Sequence, residues 1–404
     1  MRTNGFALFR GEDAASRARE AAKRARRYSK GLLVSTGDEF GELDGARLSG
    51  KSEVALAFSL GRGGFPLVHG YAGGDDALPE GEFSMLGKGA HGFYGARDRL
   101  GTRGLWAVRG GPNAGSFASD YRLVPGATLL PPRTVYEKGR TRRVKEGRVE
   151  TEDVGSFEEA AKALAALVEE SVKERIHGQG RVAVSFSGGL DSSLLALVAS
   201  RHADVVLCSA YVPGSRDEEQ TSKAAGLLGL RLEAAVLEEG ELAEMSRNAE
   251  LPPGDATLMD KALWCIYSTT GGLAKKNKAR TILLGQLADE LFGGYRKYSV
   301  KASQEGPAAA EQLMRDDVRA CADRGFLRDE AACSASCEVR FPYAASKIAS
   351  LAARLPLDYK IREGERKAVL RAAAVELGLP LELAEAPKKA AQFSSGAAKL
   401  LKRL

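Results

Sequence analysis

The chain has 404 residues, of which 44% are hydrophobic and 28% are charged, and its formal net charge is +6. This length is too great for one ordinary domain, so we expect two domains, and the composition is typical of a soluble globular protein with an ample core. The first residues contain too short an apolar region for a signal peptide, and no uninterrupted apolar stretch approaches membrane-spanning length. We therefore expect a cytoplasmic protein that makes no use of a membrane.

The cysteines and the charge distribution indicate neither a disulfide framework nor a zinc site. Five cysteines are an odd number, and we interpret them as reduced thiols. Cys333 and Cys337 would share one helix face, but packing is the simpler interpretation, and the four histidines are scattered. Basic residues gather over 133–148 and 388–403, where a solvated surface is the usual interpretation and binding of ATP or RNA is the alternative.

The first predicted domain covers residues 1–133. It is rich in glycine with short apolar runs, a pattern typical of a β-rich α+β unit, apart from a helix expected over 12–27. Residues 45–52 (GARLSGKS) match the phosphate loop of kinases, but a polar, turn-like segment precedes them where a buried strand is required, so we reject that interpretation. Charged, turn-forming residues over 134–154 are expected to be a linker.

The second predicted domain covers residues 155–404 and begins with a helix over 157–176. From residue 181 onward, strand-like and helix-like segments alternate, and after residue 306 the pattern becomes largely helical. Strands separated by helices predict a parallel sheet that is covered on both faces. Ligands bind such sheets at the carboxyl ends of the strands.

The most informative segment is 181–193 (RVAVSFSGGLDSS), in which an apolar strand ends abruptly in a glycine turn before a helix. Two glycines let backbone N–H groups approach oxyanions, and the dipole of the following helix favours negative charge. Asp191 would repel phosphate unless a cation lay between them, which indicates Mg²⁺. A serine-rich turn without this function is the simpler alternative.

A second strand and turn occurs at 281–298 (TILLGQLADELFGGYRKY), where the strand ends at Gly285 and Asp289 follows. If this strand neighbours the first, Asp191 and Asp289 could project into one crevice and hold Mg²⁺ together with ATP phosphates. Alternatively, Asp289 merely occupies the first turn of a helix, where the helix dipole favours it.

The segment SGGLDSS resembles the pyrophosphate loop of ATP pyrophosphatases, and together with ADELFGGY it resembles the synthetase domain of the asparagine synthetase family and its β-lactam synthetase relatives. Residues 327–342, 360–374 and 387–396 resemble further family motifs in the same order, and residues 93–124 resemble the end of its N-terminal glutaminase domain. The resemblance implies the α/β class: a β-rich α+β domain, reduced and Ntn-hydrolase-like, followed by a parallel-sheet, adenine nucleotide α-hydrolase-like (HUP-type) ATP pyrophosphatase domain.

This family converts a carboxylate to an acyl-adenylate, releases pyrophosphate, and lets ammonia attack the acyl carbon. The resemblance implies that Asp191 and Asp289 hold Mg²⁺, that Lys367 stabilises the charged intermediates, and that Asp329 closes over the phosphates. A solvated helix lysine is the alternative for Lys367. The ATP-binding residues implied in the same way are Ser185, Ser187, Gly188, Gly189, Asp191, Ser192, Tyr211, Gly285, Lys388 and Lys389.

Two departures from the family concern the amide-forming half of the reaction. The first cysteine is Cys208, whereas the family's glutaminase uses a cysteine at position 2, so we expect free ammonia or another amine as the nucleophile; a misassigned start codon is the competing explanation. Gln286 replaces a glutamate thought to take a proton from the incoming nitrogen, which an amide cannot do at neutral pH. The segment FPYAAS at 341–346 also lacks an expected acidic residue.

We therefore expect an enzyme that adenylates a small carboxylate, with aspartate favoured, using ATP and Mg²⁺. The first alternative is an enzyme that adenylates tRNA bases, for which Cys333 and Cys337 would be a poor pair of catalytic thiols, so nucleic acid is not the expected partner. The second is a non-catalytic nucleotide-binding regulator, against which the joint presence of Asp191, Asp289 and Lys367 argues. Whether the chain forms a homodimer is left open.

Overall fold

The structure is a computed structural model, and the residues that it describes divide between two compact units, Met1–Gly147 and Arg148–Leu404. The described residues are 2–3, 6–10, 20, 32–36, 54–59, 67–73, 80–89, 92–109, 115–137, 139–144, 154–386 and 395–403. Apart from Glu20, the helix expected over 12–27 lies outside this part of the chain, as does the rejected phosphate loop at 45–52.

The first unit is β-rich, as its sequence predicts. Its described strands are β1 Arg2–Thr3, β2 Phe6–Arg10, β3 Leu32–Thr36, β4 Val54–Ser59, β5 Leu67–Gly73, β6 Glu80–Gly89, β7 Gly92–Arg97, β8 Trp106–Ala107, β9 Phe117–Ala118, β10 Thr128–Leu129, β11 Thr134–Glu137 and β12 Arg140–Arg143. They form two six-stranded sheets, with orders β1-β5-β6-β7-β11-β12 and β10-β8-β9-β2-β4-β3. The relationship of this unit to Ntn hydrolases stays a prediction.

The hairpin of β11 and β12 occupies the first half of the segment that the sequence predicts to be a linker, 134–154. Tyr136 on β11 is fully buried, and its hydroxyl donates to the carbonyl oxygen of Val108 at 2.9 Å. β12 is an edge strand in which every side chain is exposed and three are arginines. Charge on an edge strand discourages pairing with another chain. The basic composition therefore belongs to the outer strand of a sheet, and the division between the units follows at Gly147.

Buried charged side chains in the first unit come from the segment 93–124. Arg97 is fully buried and donates to the carbonyl oxygens of Arg103 at 2.7 Å and Gly101 at 2.8 Å. Asp98 accepts the backbone N–H groups of Thr102 at 3.0 Å and Arg103 at 3.1 Å, and its burial raises the pKa of its carboxyl group. These bonds stabilise the loop that follows β7.

The second unit is built on a five-stranded sheet. Its strands are β13 Arg181–Ser185, β14 Asp204–Tyr211, β15 Arg231–Val236, β16 Thr281–Leu283 and β17 Glu338–Arg340. Their order is β15-β14-β13-β16-β17, and every neighbouring pair is parallel. The parallel sheet expected from the alternating sequence pattern is confirmed. The central residues of β13 are fully buried, as a strand covered on both faces requires.

Helices surround this sheet and dominate the chain after residue 306. They are α1 Phe157–Ile176, α2 Leu190–Ser200, α3 Arg216–Leu228, α4 Glu239–Arg247, α5 Leu258–Lys276, α6 Ala288–Phe292, α7 Arg296–Glu305, α8 Pro307–Ala320, a π-helical turn Cys321–Gly325, α9 Phe326–Cys333, a 3₁₀ turn Pro342–Ala344, α10 Ser346–Arg354, α11 Leu357–Lys360, α12 Ala368–Glu376, α13 Leu381–Ala384 and α14 Ala397–Leu401. A short hairpin, β18 Ile361–Arg362 and β19 Glu365–Arg366, precedes α12. Among the described residues, no helix combines the length and apolarity needed to cross a bilayer.

Candidate active site

The strand order of the second unit places a crevice between β13 and β16. The chain runs from β13 outward to β14 and β15, then returns to the other side of β13 for β16 and β17. Such a reversal leaves a cleft at the carboxyl ends of the two central strands. A cavity of about 620 Å³ lies there. The predicted site residues that line it are Ser185, Ser187, Gly189, Asp191, Ser192, Gly285, Gln286, Asp289 and Lys367.

The loop between β13 and α2 is ordered by its own hydroxyl groups. Ser192 Oγ accepts the backbone N–H of Ser187 at 3.3 Å, and Ser187 Oγ accepts the N–H of Gly189 at 3.4 Å. Gly189 is the N-cap of α2 and makes no side-chain cap, so the first N–H groups of an eleven-residue helix face the loop. This arrangement suits an anion that takes several backbone N–H groups at once.

Three charged side chains meet at the centre of the cavity. Lys367 Nζ donates to both carboxylate oxygens of Asp191 at 2.6 Å and lies 2.7 Å from Asp289 Oδ1. Lys367 is fully buried, whereas the side chains of both aspartates are 14% exposed. Asp191 and Asp289, which we expected to share a crevice, therefore both contact the ammonium group of Lys367. Because Lys367 is buried, it is not a solvated lysine on a helix surface.

Close packing around this centre leaves no room for side chains at two glycines. A Cβ on Gly294 would lie 1.7 Å from Asp289 Oδ1 and 2.4 Å from Lys367 Cε. A Cβ on Gly188, whose φ is +69°, would lie 2.8 Å from the carbonyl oxygen of Gln220. Lys367 itself has φ +62°, a left-handed conformation that costs a residue with a side chain about 1–3 kcal/mol. The contacts of Lys367 with Asp191 and Asp289 stabilise this backbone conformation.

Helix α5 forms one wall of the cavity and carries an ionic network. Its capping box joins Thr257 and Asp260, whose Oδ2 accepts the N–H of Thr257 at 3.0 Å. Asp260 also accepts Arg324 Nε at 3.0 Å and Arg328 Nη1 at 3.1 Å. Both arginines line the cavity, and Nη2 of Arg324 is buried without a hydrogen-bond partner among the described residues.

Asp329 lies behind this wall and does not reach the cavity, so its expected direct contact with phosphates requires correction. Its side chain is fully buried, and its Oδ1 accepts Arg328 Nε at 2.7 Å. Adjacent helical residues face different directions, so turning Arg328 toward the cavity turns Asp329 away. Burial raises the pKa of Asp329 to about 6 although the charge of Arg328 opposes the shift. Asp329 is therefore placed to orient Arg328.

A second group of polar side chains surrounds Gln286. Gln286 Nε2 donates to Cys321 Sγ at 3.4 Å. Glu290 is buried in the same cavity and accepts the hydroxyl hydrogen bond of Tyr295 at 2.8 Å. Burial raises the pKa of Glu290, and the neighbouring charge of Asp289 raises it further. The amide, the thiol and the carboxyl group thus lie together near the two aspartates.

The remaining predicted residues are placed as follows. Tyr211 ends β14 and is buried, while its neighbour Ala210 lines the cavity. Lys388 and Lys389 lie outside the described residues. Sequence reasoning missed several charged residues of the cavity, among them Asp260, Glu290, Arg324 and Arg328. The pattern TLMD at 257–260 predicts a helix cap that includes Asp260. The i, i+4 spacing of Arg324 and Arg328 predicts that they share a helix face. Neither pattern predicts that these residues line a cavity.

The two central aspartates fit the kind of Mg²⁺ site that ATP enzymes use. Among the described residues, no group of three or more His, Cys, Asp or Glu side chains is placed to hold a metal ion. Mg²⁺ is commonly held by one or two carboxylates, with substrate phosphates and water completing its octahedron. Asp191 and Asp289 already converge on one cation, so the donor set fits a Mg²⁺ ion that arrives with a nucleotide.

Comparisons with known proteins agree with the sequence resemblance. The sequence model of the asparagine synthase family matches residues 163–329 and 301–404. A Methanocaldococcus jannaschii protein with the provisional name of a glutamine-hydrolysing asparagine synthetase is 27% identical over 279 residues, covering 61% of this chain and 51% of that protein. Asparagine synthetase domain-containing protein 1 of Mus musculus is 25% identical over 306 residues, covering 58% of this chain and 49% of that protein.

This chain therefore spans about half the length of these two relatives. Among solved structures, an NMN synthetase from Francisella tularensis matches with a TM-score of 0.33 at 11% identity. That match covers 60% of this chain and 79% of the other.

Proposed function

Because the chain belongs to the asparagine synthase family, we propose that it is an ATP-dependent ligase that adenylates a small carboxylate, with aspartate favoured, and then joins ammonia or another amine to the acyl carbon. AMP and pyrophosphate would be its nucleotide products. The observation that carries the proposal is the convergence of Asp191, Asp289 and Lys367 at the end of the phosphate loop. The two carboxylates would hold Mg²⁺, and the metal together with the Lys367 ammonium would supply positive charge where a leaving group becomes negative.

Different residues of the cavity would have different roles in the adenylation step. The α2 N-terminus and the loop hydroxyls would bind the β- and γ-phosphates. Asp191 and Asp289 would hold Mg²⁺, which when bound supplies positive charge to the leaving pyrophosphate. Lys367, whose conformation is held by its buried surroundings, would keep a positive charge beside the reacting phosphorus and later beside the acyl carbon.

The ionic network on α5 supports a carboxylate as the acceptor. Arg324 and Arg328 are both oriented by Asp260, and both line the cavity. Planar guanidinium groups bind carboxylates through paired hydrogen bonds. Arg328 is already bonded to Asp260 and Asp329, whereas Nη2 of Arg324 is buried without a hydrogen-bond partner among the described residues. Arg324 would therefore bind a second carboxylate of the acceptor, such as the one that aspartate carries.

Ammonia or another amine is proposed as the nitrogen donor because residues 1–207 contain no cysteine to form a thioester with glutamine. The relative from Methanocaldococcus jannaschii is named as glutamine-hydrolysing, so the two proteins would differ at this step. A cytoplasmic location stays a prediction from the sequence, which leaves the oligomeric state undetermined. A tRNA-modifying enzyme and a non-catalytic regulator are the competing proposals, and none of the described residues that line the cavity favours either.

The test is an assay of the full chain with ATP, Mg²⁺, aspartate and ammonia. We expect release of AMP and pyrophosphate in equal amounts, and no replacement of ammonia by glutamine. Asp289→Asn should abolish pyrophosphate release, whereas Asp316→Asn, a matched change at an exposed aspartate on α8, should not. ADP and phosphate as products would contradict the reaction class. Activity with glutamine would contradict only the proposed donor.

A further inference from the structure

Lys367 lies at the junction between the hairpin of β18 and β19 and helix α12, in a backbone conformation that favours glycine. It is the N-cap residue of α12, with φ +62° and ψ +30°. An N-cap residue usually has an extended backbone. A left-handed residue with a side chain persists only where the surrounding structure enforces that conformation. The contacts that enforce it here determine where the Lys367 ammonium lies.

The two ion pairs of Lys367 are not sufficient to hold it during the proposed reaction. Its Nζ contacts the carboxylates of Asp191 and Asp289. In the proposed reaction these carboxylates also hold a divalent cation, and a carboxylate shared with such an ion attracts an ammonium group less strongly. The position of Lys367 must then depend on contacts that lie outside this cluster of charges.

The first such contact is made by Arg371, four residues further along the chain. Its Nε donates to the carbonyl oxygen of Arg366 at 2.9 Å, in the peptide group that precedes the Lys367 Cα. Its backbone N–H donates to the carbonyl oxygen of Lys367 at 2.9 Å, in the peptide group that follows this Cα. Arg371 is buried, and its Nη1 and Nη2 donate to the carbonyl oxygens of Ala384 and Ala386. The φ and ψ of Lys367 therefore cannot change without breaking a bond to Arg371.

The second contact anchors the hairpin to the two glycines that follow α6. Arg366 Nη1 donates to the carbonyl oxygen of Gly294 at 2.8 Å. A Cβ on Gly293 would lie 2.8 Å from Ile361 Cγ1, so β18 packs closely on the same pair of glycines. Ile361 is the residue that pairs with Arg366 in the hairpin. The backbone that leads into Lys367 is therefore fixed to the segment after α6.

On the basis of the proposed function, we propose that Arg366 and Arg371 are positioning residues that hold the Lys367 ammonium at the reacting centre. Arg371 acts through the two peptide groups of Lys367, and Arg366 acts through the hairpin. The bonds named above go to backbone carbonyl oxygens, which remain in place when Asp191 and Asp289 bind another cation. Misplacing a catalytic group by 1 Å can cost about 100-fold in rate.

The first experiment measures how well Lys367 is held, in the full chain and without nucleotide. The reagent is acetic anhydride, which acylates accessible lysines, and mass spectrometry gives the acylation rate at each one. In Arg366→Met we expect the rate at Lys367 to rise about 10-fold, the factor that loss of one hydrogen bond from a charged donor supplies. Arg371→Lys should raise it in the same direction. The rate at Lys360, a second buried lysine, should stay unchanged in both variants.

Two further variants separate the loss of this hydrogen bond from general loosening of the hairpin. Arg362→Met is the matched control, because Arg362 lies on the same hairpin with its guanidinium 4.7 Å from the ring centroid of Phe157, and it should leave both acylation rates unchanged. Arg366→Lys keeps a cationic donor and should restore most of the protection of Lys367.

The second experiment measures pyrophosphate release by the same variants. Arg366→Met and Arg371→Lys should lower kcat by about 10- to 100-fold, while the KM for ATP stays unchanged because the phosphate loop belongs to other elements. Absence of pyrophosphate release by the unchanged chain would contradict the proposed function, whereas acylation would still show whether the two arginines hold Lys367. An unchanged acylation rate at Lys367 in either variant, an equal rise at Lys360, or an unchanged kcat in a chain whose Lys367 has become reactive would overturn the inference.

Discussion

Replacement of Lys367 by methionine removes the ammonium that two carboxylates share. Lys367 is fully buried, and its Nζ lies 2.6 Å from Asp191 Oδ1 and 2.7 Å from Asp289 Oδ1. Removing one partner of a buried ion pair costs about 3–5 kcal/mol. The two carboxylate oxygens would then lie at most about 5 Å apart, given their distances to Nζ, so Coulomb repulsion at an effective dielectric constant of about 20 supplies at least about 3 kcal/mol. We therefore expect the free energy of unfolding to fall by about 3–5 kcal/mol.

Urea unfolding with and without Mg²⁺ tests this reasoning. If the two carboxylates can hold a divalent cation, Mg²⁺ should stabilise Lys367→Met, by about 2.7 kcal/mol at a concentration 100 times its Kd, and should stabilise the unchanged chain less. Lys360→Met is the matched control, because Lys360 is also buried and burial lowers its pKa to about 8, yet it lies outside the cavity lining. The reasoning would be refuted if Lys367→Met unfolded at the same urea concentration as the unchanged chain. It would also be refuted if Mg²⁺ stabilised Lys367→Met and the unchanged chain equally.

Three further predictions concern packing, pH and substrate binding. Gly294→Ala would place its Cβ 1.7 Å from Asp289 Oδ1, so pyrophosphate release should fall more than about 10-fold, whereas Gly272→Ala, with nothing within 4 Å, should leave it unchanged. Burial raises the pKa of Asp329 from 3.8 to about 6, so the folded chain binds this proton more tightly than the unfolded chain. The protonated carboxyl group of Asp329 therefore contributes to stability below about pH 4, and this contribution is lost as pH rises to about 6. If the free energy of unfolding in urea varied with pH in the same way for Asp329→Asn and for the unchanged chain across that range, this prediction would be wrong. Arg324→Gln should raise the KM for the carboxylate about 10-fold and leave that for ATP unchanged, since its guanidinium is assigned to the acceptor.

The sequence predicted those parts of the fold that depend on near neighbours along the chain. Alternating strands and helices predicted the parallel sheet, because periodicity reflects which face of each segment is buried. The glycine turn over 181–193 predicted a strand that feeds a helix N-terminus, and the structure has β13, the loop and α2 there. The segment 134–143 was misjudged, because charge on an edge strand resembles charge in a linker until the neighbouring strand β7 is known.

Local pattern therefore determined the two loops, their order and the chemistry that their residues can perform. Tertiary structure decided what each charge contacts: Lys367 reaches Asp191 across 176 residues of sequence, Asp329 lies behind Arg328, and Glu290 is bonded to a phenol. Turn and helix preferences act over a few residues, whereas burial and ion pairing depend on segments that only folding brings together. The physical character of each acidic group, as a cation ligand or a positioning group, is for that reason a property of the folded chain.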